Sequence, residues 1–257
     1  MAEPKKTPLT IKKIVRKINA ITYSYFAKIE NYQPNIKFLS NIKNKKKSYS
    51  QTGEDLIIKT ALGELGINKP TYLDIGAHHP YYLNNTALFY KSGSRGVNIE
   101  PDPALFEKFI KFRKKDINLN IGIADKSGSL LLYIISSPTL NTFSEKEARH
   151  YEKLGYPIVD TKKIKVMDIN ALLKKYFKKS SPNLLSVDVE GLDYKILKAI
   201  DYKNYSPEII CAETIVFSKD GSGKKDLRIT RLLENNGYKV YADTKINTIY
   251  IKTIISE

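Results

Sequence analysis

The chain has 257 residues and a formal net charge of +16, and 42% of its residues are hydrophobic. This length holds one α/β domain with a full core and an appendage, but not two large independent domains. The single cysteine, Cys211, excludes an internal disulfide, and the lack of any run of about 18 apolar residues argues against a membrane-spanning helix. We therefore expect a cytoplasmic protein.

The amino-terminal segment is much more basic than the rest. Residues 1–50 hold twelve lysines and arginines and two acidic residues. Apolar residues recur there at helical spacing and predict an amphipathic helix over 9–30, followed by a linker. Such a helix docks on an anionic membrane surface, here the inner membrane face, or packs against its own domain or a partner subunit in a homo-oligomer. The sequence thus predicts a basic helix and linker over 1–49 and an α/β domain over 50–257.

From residue 50 onward, the apolar pattern alternates between helical and strand spacing. It predicts helices over 53–65, 85–91, 104–114, 145–154, 168–177, 194–199 and 227–235. It predicts strands over 72–75, 96–99, 117–123, 184–187 and 209–212, a strand over 129–135 in a hairpin across 126–128, an edge strand over 163–166, and a terminal hairpin of 238–241 with 248–254. Residues 142–160 are polar, which indicates a lid or loop. This order predicts an α/β fold with a mostly parallel seven-stranded sheet, closed by an antiparallel hairpin.

Two predicted strand ends indicate a nucleotide-like cofactor. One strand contains Asp74 and ends at Gly76, and the next strand ends at Glu100. Such cofactors lie at the carboxyl edge of a parallel sheet, where glycine lets the backbone pass close and an acid accepts hydrogen bonds from ribose hydroxyls. Gly76 is followed by Ala77 and His78 rather than by further glycines, so a cradle for pyrophosphate is not evident. S-adenosylmethionine, which has no phosphate, fits best.

Six motifs in a fixed order give the chain a resemblance to a known family. They are Ser50-Gln-Thr-Gly-Glu-Asp55, Leu73-Asp-Ile-Gly-Ala-His-His-Pro80, Asn84-Asn-Thr86, Asn98-Ile-Glu-Pro101, Asp116-Ile-Asn-Leu-Asn120 and Leu185-Ser-Val-Asp-Val-Glu-Gly-Leu-Asp193. Over about residues 48–252 the chain resembles the FkbM family of S-adenosylmethionine-dependent methyltransferases. The resemblance implies methyl transfer, usually to a hydroxyl of a sugar or natural product, on a class I, Rossmann-like fold.

The acids and glycines of these motifs supply the predicted cofactor contacts. Asp74 is placed near the methionine amino group and Glu100 near the ribose, although Asp74 could instead cap the next helix. The residues predicted to contact the cofactor are Gln51, Gly53, Glu54, Asp74, Gly76, Ala77, His78, Glu100, Pro101, Asn120, Ile121, Asp125 and Asp188.

Two parts of this set have a second interpretation. Gln51, Gly53 and Glu54 could close over the methionine tail, or they could belong to a capping box at the start of a helix. Asn120 and Asp125 follow the third strand where adenine would lie, or they form a plain ending of that strand.

Methyl transfer to a hydroxyl needs alignment of the reacting atoms and removal of the hydroxyl proton. His79, Asp188 and Glu190 are the predicted catalytic residues, since Asp188 ends the fourth strand and His79 adjoins the cofactor motif. Glu213 ends the neighbouring strand and could join Asp188 as an oxygen ligand of Mg²⁺, which would acidify a bound hydroxyl. A surface or structural role is the alternative for His79.

We therefore expect an S-adenosylmethionine-dependent O-methyltransferase that acts on a carbohydrate hydroxyl, in a polysaccharide, glycolipid or sugar nucleotide. A nucleic-acid methyltransferase is the first alternative. The positive charge favours it, but that charge is concentrated in the amino-terminal segment, and no Asn-Pro-Pro-Tyr-like motif follows the fourth strand. A non-catalytic cofactor-binding or scaffold protein is the second alternative.

Overall fold

A computed structural model of the chain describes residues 46–215 and 223–253. The chain divides into two units, residues 1–47 and 48–257. The helices and strands of the described residues belong to the second unit. The predicted amphipathic helix over 9–30 lies outside the described residues, so the division into 1–49 and 50–257 stays a prediction. Within the described ranges, none of the helices has the length and apolar character needed to cross a membrane.

The helices follow the predicted order, and their ends differ from the predicted ones by at most two residues. They are α1 (Glu54–Glu64), α2 (Ala87–Lys91), α3 (Pro103–Phe112), α4 (Glu145–Lys153), α5 (Ile169–Phe177), α6 (Asp193–Ala199) and α7 (Leu227–Glu234). Side-chain caps explain several of these starts. Asp102, Ser144, Asp168 and Asp226 each accept a hydrogen bond from a backbone amide in the first turn of the helix that follows, which pairs an amide that the helix leaves free.

The strands of the described residues form two sheets. They are β1 (Tyr72–Ile75), β2 (Gly96–Ile99), β3 (Ile117–Leu119), β4 (Gly122–Ala124), β5 (Gly128–Ile135), β6 (Ile158–Asp168), β7 (Leu184–Val187), β8 (Ile209–Glu213), β9 (Tyr238–Asp243) and β10 (Asn247–Lys252). Seven of them form one sheet in the order β3-β2-β1-β7-β8-β10-β9, and the other three form a sheet in the order β4-β6-β5.

In the larger sheet only β10 runs antiparallel to its neighbours, β8 and β9. Every residue of β1 and β7 is buried, as expected for central strands that are covered on both faces. The predicted fold, a mostly parallel seven-stranded sheet with a terminal antiparallel hairpin, is confirmed. The carboxyl ends of β1, β2, β7 and β8 meet at one edge, where β10 begins.

The predicted strand over 117–123 is wrong, because two strands occupy this range and belong to different sheets. β3 pairs with β2, whereas β4 pairs with β6. The break falls at Asn120, whose side-chain amide donates hydrogen bonds to the backbone oxygens of Glu100 and Pro101 at 2.8 and 2.9 Å. These bonds hold Asn120 against the loop that follows β2, so the chain leaves the larger sheet after Leu119.

The predictions for the smaller sheet also need correction. The strand over 129–135 does not form a hairpin across 126–128, because β5 pairs antiparallel with β6. The predicted edge strand over 163–166 is instead the central strand of this sheet and extends over Ile158–Asp168. Most side chains in its first half are exposed and polar, so this part of the strand resembles a loop in the sequence.

Candidate active site

A cavity of about 600 Å³ lies at the carboxyl edge of the seven-stranded sheet, a size typical of small-molecule and cofactor sites. The predicted site residues that line it are Gln51, Gly76, His78, Glu100, Pro101, Asp188, Glu190 and Glu213. Those outside its lining are Gly53, Glu54, Asp74, Ala77, His79, Asn120, Ile121 and Asp125.

The strand order sets the order of polar groups along the cavity floor. Glu100 follows β2, Gly76 follows β1, Asp188 follows β7, Glu213 ends β8 and Asn247 begins β10. Neighbouring strands lie about 4.8 Å apart. Asp188 therefore stands midway between a side with Glu100 and a side with Glu213 and Asn247, which we call the Glu100 half and the Glu213 half.

Gly76 is required by the close approach of two strand ends. Its φ is +78°, in the left-handed region, and a Cβ atom there would lie 1.7 Å from the backbone oxygen of Asp188. Only glycine fits between the ends of β1 and β7 in this conformation. The residue that the sequence predicted to pass beneath a cofactor also brings Asp188 to the cavity.

Glu100 is a buried carboxyl group on the cavity wall, with 5% of its surface exposed. Its two oxygens accept hydrogen bonds from the backbone amides of His78 at 2.7 Å and Asp102 at 2.8 Å. Burial raises its pKa to about 8, against the lowering effect of these amides, and the charges of Asp102 and Asp74 raise it further. Each carboxylate oxygen keeps a second lone pair, so Glu100 can still accept bonds from a pair of hydroxyls.

Asp74 lies behind the cavity wall rather than on it. Its carboxylate accepts hydrogen bonds from the Asn84 amide at 3.0 Å and the Thr86 hydroxyl at 2.8 Å. Burial raises the pKa of Asp74, while the bond from Thr86 and the charge of Arg113 act in the opposite direction. In this geometry Asp74 holds the segment before α2 in place, and Ala77, also buried, accepts a bond from Asn84 through its backbone oxygen.

Three residues before and at the start of α1 were predicted to contact the cofactor. Of these, only Gln51 lines the cavity. Gly53 has a left-handed φ of +93° and precedes the helix. Glu54 is fully buried and accepts hydrogen bonds from the Thr52 amide at 2.8 Å and the Asn247 side chain at 3.0 Å. Burial opposes its ionisation, but a hydrogen bond from the Thr52 hydroxyl, together with those from Asn247 and the Thr52 amide, outweighs that effect and lowers its pKa to about 2. Glu54 thereby joins the start of α1 to the start of β10.

The residues predicted to surround adenine lie outside the cavity. Asn120 bonds to backbone oxygens, and Asp125 forms an ion pair with Lys195 at 3.5 Å. Ile121 packs against the main hydrophobic core. The wall next to Glu100 is instead apolar and comes from α3, β5 and the segment after β5, with side chains of Pro101, Leu105, Leu132, Leu140 and Phe143.

The two neighbouring histidines point to different surroundings. His78 lines the cavity with a left-handed φ of +53°, and burial, with the charges of His79 and Lys108, lowers its pKa to about 4. His79 does not line the cavity, and its Nδ1 accepts a hydrogen bond from the Tyr81 amide at 3.2 Å. Burial, with the charge of Lys108, lowers the pKa of His79 as well.

Three carboxylates meet in the Glu213 half of the cavity, and we call them the acidic cluster. Asp188, Glu190 and Glu213 each offer an oxygen atom, and these atoms all lie within 4.8 Å of one another. Glu190 has a left-handed φ of +50°. Its conformation is held by the Tyr151 hydroxyl, which donates to Oε2 at 2.5 Å, and by the Thr142 hydroxyl, which donates to its backbone oxygen at 2.7 Å.

The acidic cluster holds its protons tightly. Burial, followed by the charges of Asp193 and Asp74, raises the pKa of Asp188 to about 7. Burial and neighbouring carboxylates also raise the pKa values of Glu190 and Glu213 well above the ordinary range. Three carboxylates at this spacing repel one another, so the cluster favours a bound proton or cation.

Arg113, which was not predicted from the sequence, forms a buried hydrogen-bond network behind the cavity wall. It is fully buried and pairs with Asp116 at 2.9 Å. Its guanidinium also donates to the Tyr72 hydroxyl at 2.9 Å and the Thr86 hydroxyl at 3.1 Å. Since Thr86 bonds to Asp74, Arg113 connects the third strand to the base of the cavity. The signal in the sequence was Asp116 at the start of a predicted strand, because a buried acid next to a strand needs a basic partner, and Arg113 lies three residues earlier.

Other cavity residues were also missed because they come from distant parts of the sequence. Asn247 begins β10, and Asn141 and Phe143 follow β5. Asn141 donates from its side chain to Asp102 at 2.9 Å, which ties the segment after β5 to the loop after β2. A pattern of strand ends does not reveal these residues, since Asn247 is placed by the pairing of β10 with β8 and Asn141 by its bond to the loop after β2.

Comparison with protein families identifies the chain. The model of the methyltransferase FkbM domain matches residues 74–240, which is more than half of the chain. The chain belongs to the FkbM methyltransferase family. The resemblance seen in the sequence is thereby confirmed, and this FkbM family member is an S-adenosylmethionine-dependent methyltransferase. Comparison with curated proteins finds no significant match.

Solved structures of methyltransferases are similar to this FkbM family member at low identity. A TehB-like S-adenosylmethionine-dependent methyltransferase from Corynebacterium glutamicum shares 11% identity, with 88% of this chain and 99% of that chain covered and a TM-score of 0.41. A putative caffeoyl-CoA O-methyltransferase from Staphylococcus aureus shares 10% identity, with 91% and 100% covered and a TM-score of 0.42. At these values the likeness carries no argument about the substrate.

Proposed function

We propose that this FkbM family member transfers the methyl group of S-adenosylmethionine to a hydroxyl group of a carbohydrate. The observation that carries the proposal is the position of Asp188. It directly follows β7, between the Glu100 half and the Glu213 half of the cavity. A cofactor in the first half and an acceptor in the second would meet at this carboxylate.

The Glu100 half suits the adenosine part of the cofactor. The Glu100 carboxylate can accept hydrogen bonds from both ribose hydroxyls, and the apolar side chains of Leu105, Leu140 and Phe143 offer a surface for the adenine ring. Gln51 and the backbone at Gly76 also line the cavity, and we assign them to the methionine part. The bound cofactor would supply an electrophilic methyl group on a positively charged sulfur.

The Glu213 half suits activation of a hydroxyl group. A hydroxyl must lose its proton as it accepts a methyl group, and this step needs a positioned acceptor for the proton. Asp188 and Glu190 lie on the cavity wall, whereas His79 does not line it. We therefore assign contact with the reacting hydroxyl to Asp188. The predicted cation ligands Asp188 and Glu213 both line the cavity.

The polar groups around the cavity favour a carbohydrate over a nucleic acid. The side-chain amide of Asn85 lines it, and such a group both donates to and accepts from hydroxyls. Tyr82, also on the lining, has 61% of its surface exposed and offers an aromatic face at the mouth. Among the described residues, the cavity lining holds no lysine or arginine, and these are the side chains that neutralise nucleic-acid phosphates.

A transfer assay with S-adenosylmethionine labelled in its methyl group tests this function. We expect label on saccharides or glycolipids, and we expect it to resist alkali, because a methyl ether is stable to base whereas a methyl ester is hydrolysed. RNA and DNA in parallel reactions should remain unlabelled. Label on RNA, or alkali-labile label on the saccharide, would contradict the proposal. Binding of S-adenosylhomocysteine without transfer to any acceptor would favour the scaffold alternative.

We also propose that the basic segment over 9–30 docks on an anionic membrane surface. The support is its charge, since most of the positive excess of the chain lies in residues 1–50. A glycolipid acceptor would be reached most readily by an enzyme held at such a surface.

A further inference from the structure

Asn247 presents a buried oxygen atom that lacks a partner. It is the first residue of β10, lines the cavity and has 3% of its surface exposed. Its Oδ1 has no hydrogen-bond partner among the described residues. An unpaired buried acceptor costs about 1 to 3 kcal/mol, so the position indicates a ligand that pairs with this oxygen.

The orientation of the Asn247 amide follows from its contact with Glu54. The amide nitrogen donates to Glu54 Oε1 at 3.0 Å. The same Glu54 oxygen also accepts hydrogen bonds from the hydroxyl groups of Thr52 and Thr244, so it acts as an acceptor toward all its neighbours. A flipped amide would place two oxygens against each other. The nitrogen must therefore face Glu54, which leaves Oδ1 as the free atom.

Asn247 stands beside the acidic cluster. It is the register partner of Glu213 across the antiparallel pair of β10 and β8. Side chains of such partners lie on the same face with Cβ atoms about 4.5 to 5.5 Å apart. Both residues line the same cavity. The Asn247 oxygen thus adds a fourth acceptor beside Glu213, on the cavity that the oxygens of Asp188 and Glu190 also line.

We propose that these four residues bind a hard divalent cation of the Mg²⁺ or Ca²⁺ class. Carboxylate and Asn side-chain oxygens are the ligands that these ions take. A hydroxyl group offers one hydrogen and could satisfy one of the four oxygens, whereas a cation satisfies all of them. Two oxygens on opposite sides of Ca²⁺ lie up to about 5 Å apart, which agrees with the 4.8 Å limit within the cluster.

The contacts of Glu190 fit this role. The Tyr151 hydroxyl occupies Oε2, which leaves Oε1 for a cation, and Thr142 holds the backbone in its left-handed conformation. The cation would lie in the Glu213 half, next to Asp188, where it could acidify an acceptor hydroxyl. The part that the ion plays in turnover rests on the proposed function, but binding of the ion does not.

Titration of the full-length protein with Mn²⁺, followed by electron paramagnetic resonance of the free ion, tests the site without any acceptor. We expect one Mn²⁺ per chain, displaced by excess Mg²⁺. Glu213→Gln and Asn247→Ala should each weaken binding by more than about tenfold, since even outer-shell changes have effects of this size. Glu145→Gln removes one negative charge from the exposed surface of α4 and should leave Mn²⁺ binding unchanged.

The titration of the wild-type protein shows whether the cation site exists. No Mn²⁺ bound at millimolar concentration would overturn the site, and so would wild-type affinity in Glu213→Gln. Affinity for S-adenosylhomocysteine, which belongs to the Glu100 half, verifies that each variant is folded. A chain that binds Mn²⁺ but methylates no saccharide would contradict the proposed function alone. An active saccharide methyltransferase that binds no Mn²⁺ would contradict the cation site alone.

Discussion

At the scale of single residues, Glu100 makes the stability of the protein and its affinity for the cofactor depend on pH. In the unliganded protein its raised pKa, about 8 against an ordinary 4.5, contributes stability that is fully present below pH 4.5 and is lost as the pH rises through 8. Ribose hydroxyls donate to the ionised carboxylate. Binding of the cofactor must therefore remove a proton from Glu100 at pH 7.

We expect the affinity for S-adenosylhomocysteine to rise by up to about tenfold per pH unit below pH 8 and to level above it. Glu100→Gln should bind more weakly and without this pH dependence. Isothermal titration calorimetry between pH 6 and 9 measures both effects, and the exposed Glu107→Gln on α3 is the matched control. An unchanged pH profile in Glu100→Gln would contradict the role assigned to this carboxyl.

Gly76 sets the distance between two strand ends. We expect Gly76→Ala to lower the free energy of unfolding by roughly 3 to 5 kcal/mol, because the new Cβ atom meets the backbone oxygen of Asp188. Gly93→Ala is the control, since Gly93 also has a positive φ but open space around its Cβ position; it should cost only about 1 to 2 kcal/mol. Urea denaturation measures both, and equal losses would show that backbone strain alone acts at Gly76.

At the scale of elements, the smaller sheet and α4 hold the acidic cluster in place. Tyr151 on α4 belongs to a buried cluster with Ile135, Leu140 and Ala148, and its hydroxyl reaches Glu190. The helix predicted over 145–154, within the lid or loop of 142–160, is thus packed and positions part of the site. Removal of the Tyr151 hydroxyl would leave the packing of its ring in place and remove only the hydrogen bond that positions Glu190.

We expect Tyr151→Phe to lower the turnover number by roughly tenfold, an effect typical of groups that orient a ligand-binding side chain. The KM for S-adenosylmethionine should stay unchanged, because Glu190 lies in the Glu213 half. Tyr133→Phe removes a hydroxyl next to the same cluster without touching Glu190 and should retain activity. Steady-state kinetics of both variants decide the question. A wild-type turnover number in Tyr151→Phe would mean that Glu190 needs no such support.

The ends of the strands show which element boundaries can be predicted from the local sequence pattern. β1 and β2 have the predicted ends, because short segments rich in Val, Ile, Leu or Tyr that stop at glycine or an acid are typical of buried strands. The range 117–123 has the same composition but divides at Asn120, whose partners Glu100 and Pro101 lie some twenty residues earlier in the chain. Contacts of that kind leave no local pattern.

At the scale of the whole molecule, charge separates the amino-terminal segment from the rest. If residues 9–30 bind an anionic surface, exchange of Lys12, Lys13, Arg16 and Lys17 for Glu should abolish binding to phosphatidylserine vesicles. Each basic residue contributes about 1 kcal/mol at such a surface. The wild-type chain should also release vesicles at high salt.

Vesicle cosedimentation of the full-length protein measures this binding. The same exchange at Lys174, Lys175, Lys178 and Lys179, which are exposed on α5 and just after it, changes the net charge equally and should leave vesicle binding intact. Loss of binding in the α5 variant alone would place the membrane contact on the domain instead.

The sequence by itself determined the fold class and the residues at the carboxyl edge of the sheet. Strand periodicity and the acids and glycines at strand ends depend on local chemistry, so Gly76, Glu100, Asp188 and Glu213 could be placed at one edge without coordinates. Tertiary structure alone decided which side chains face the cavity. A turn at positive φ directs His78 inward and leaves His79 outside, and strand pairing across 33 intervening residues sets Asn247 beside Glu213. Such choices depend on long-range packing, and no local pattern of residues encodes them.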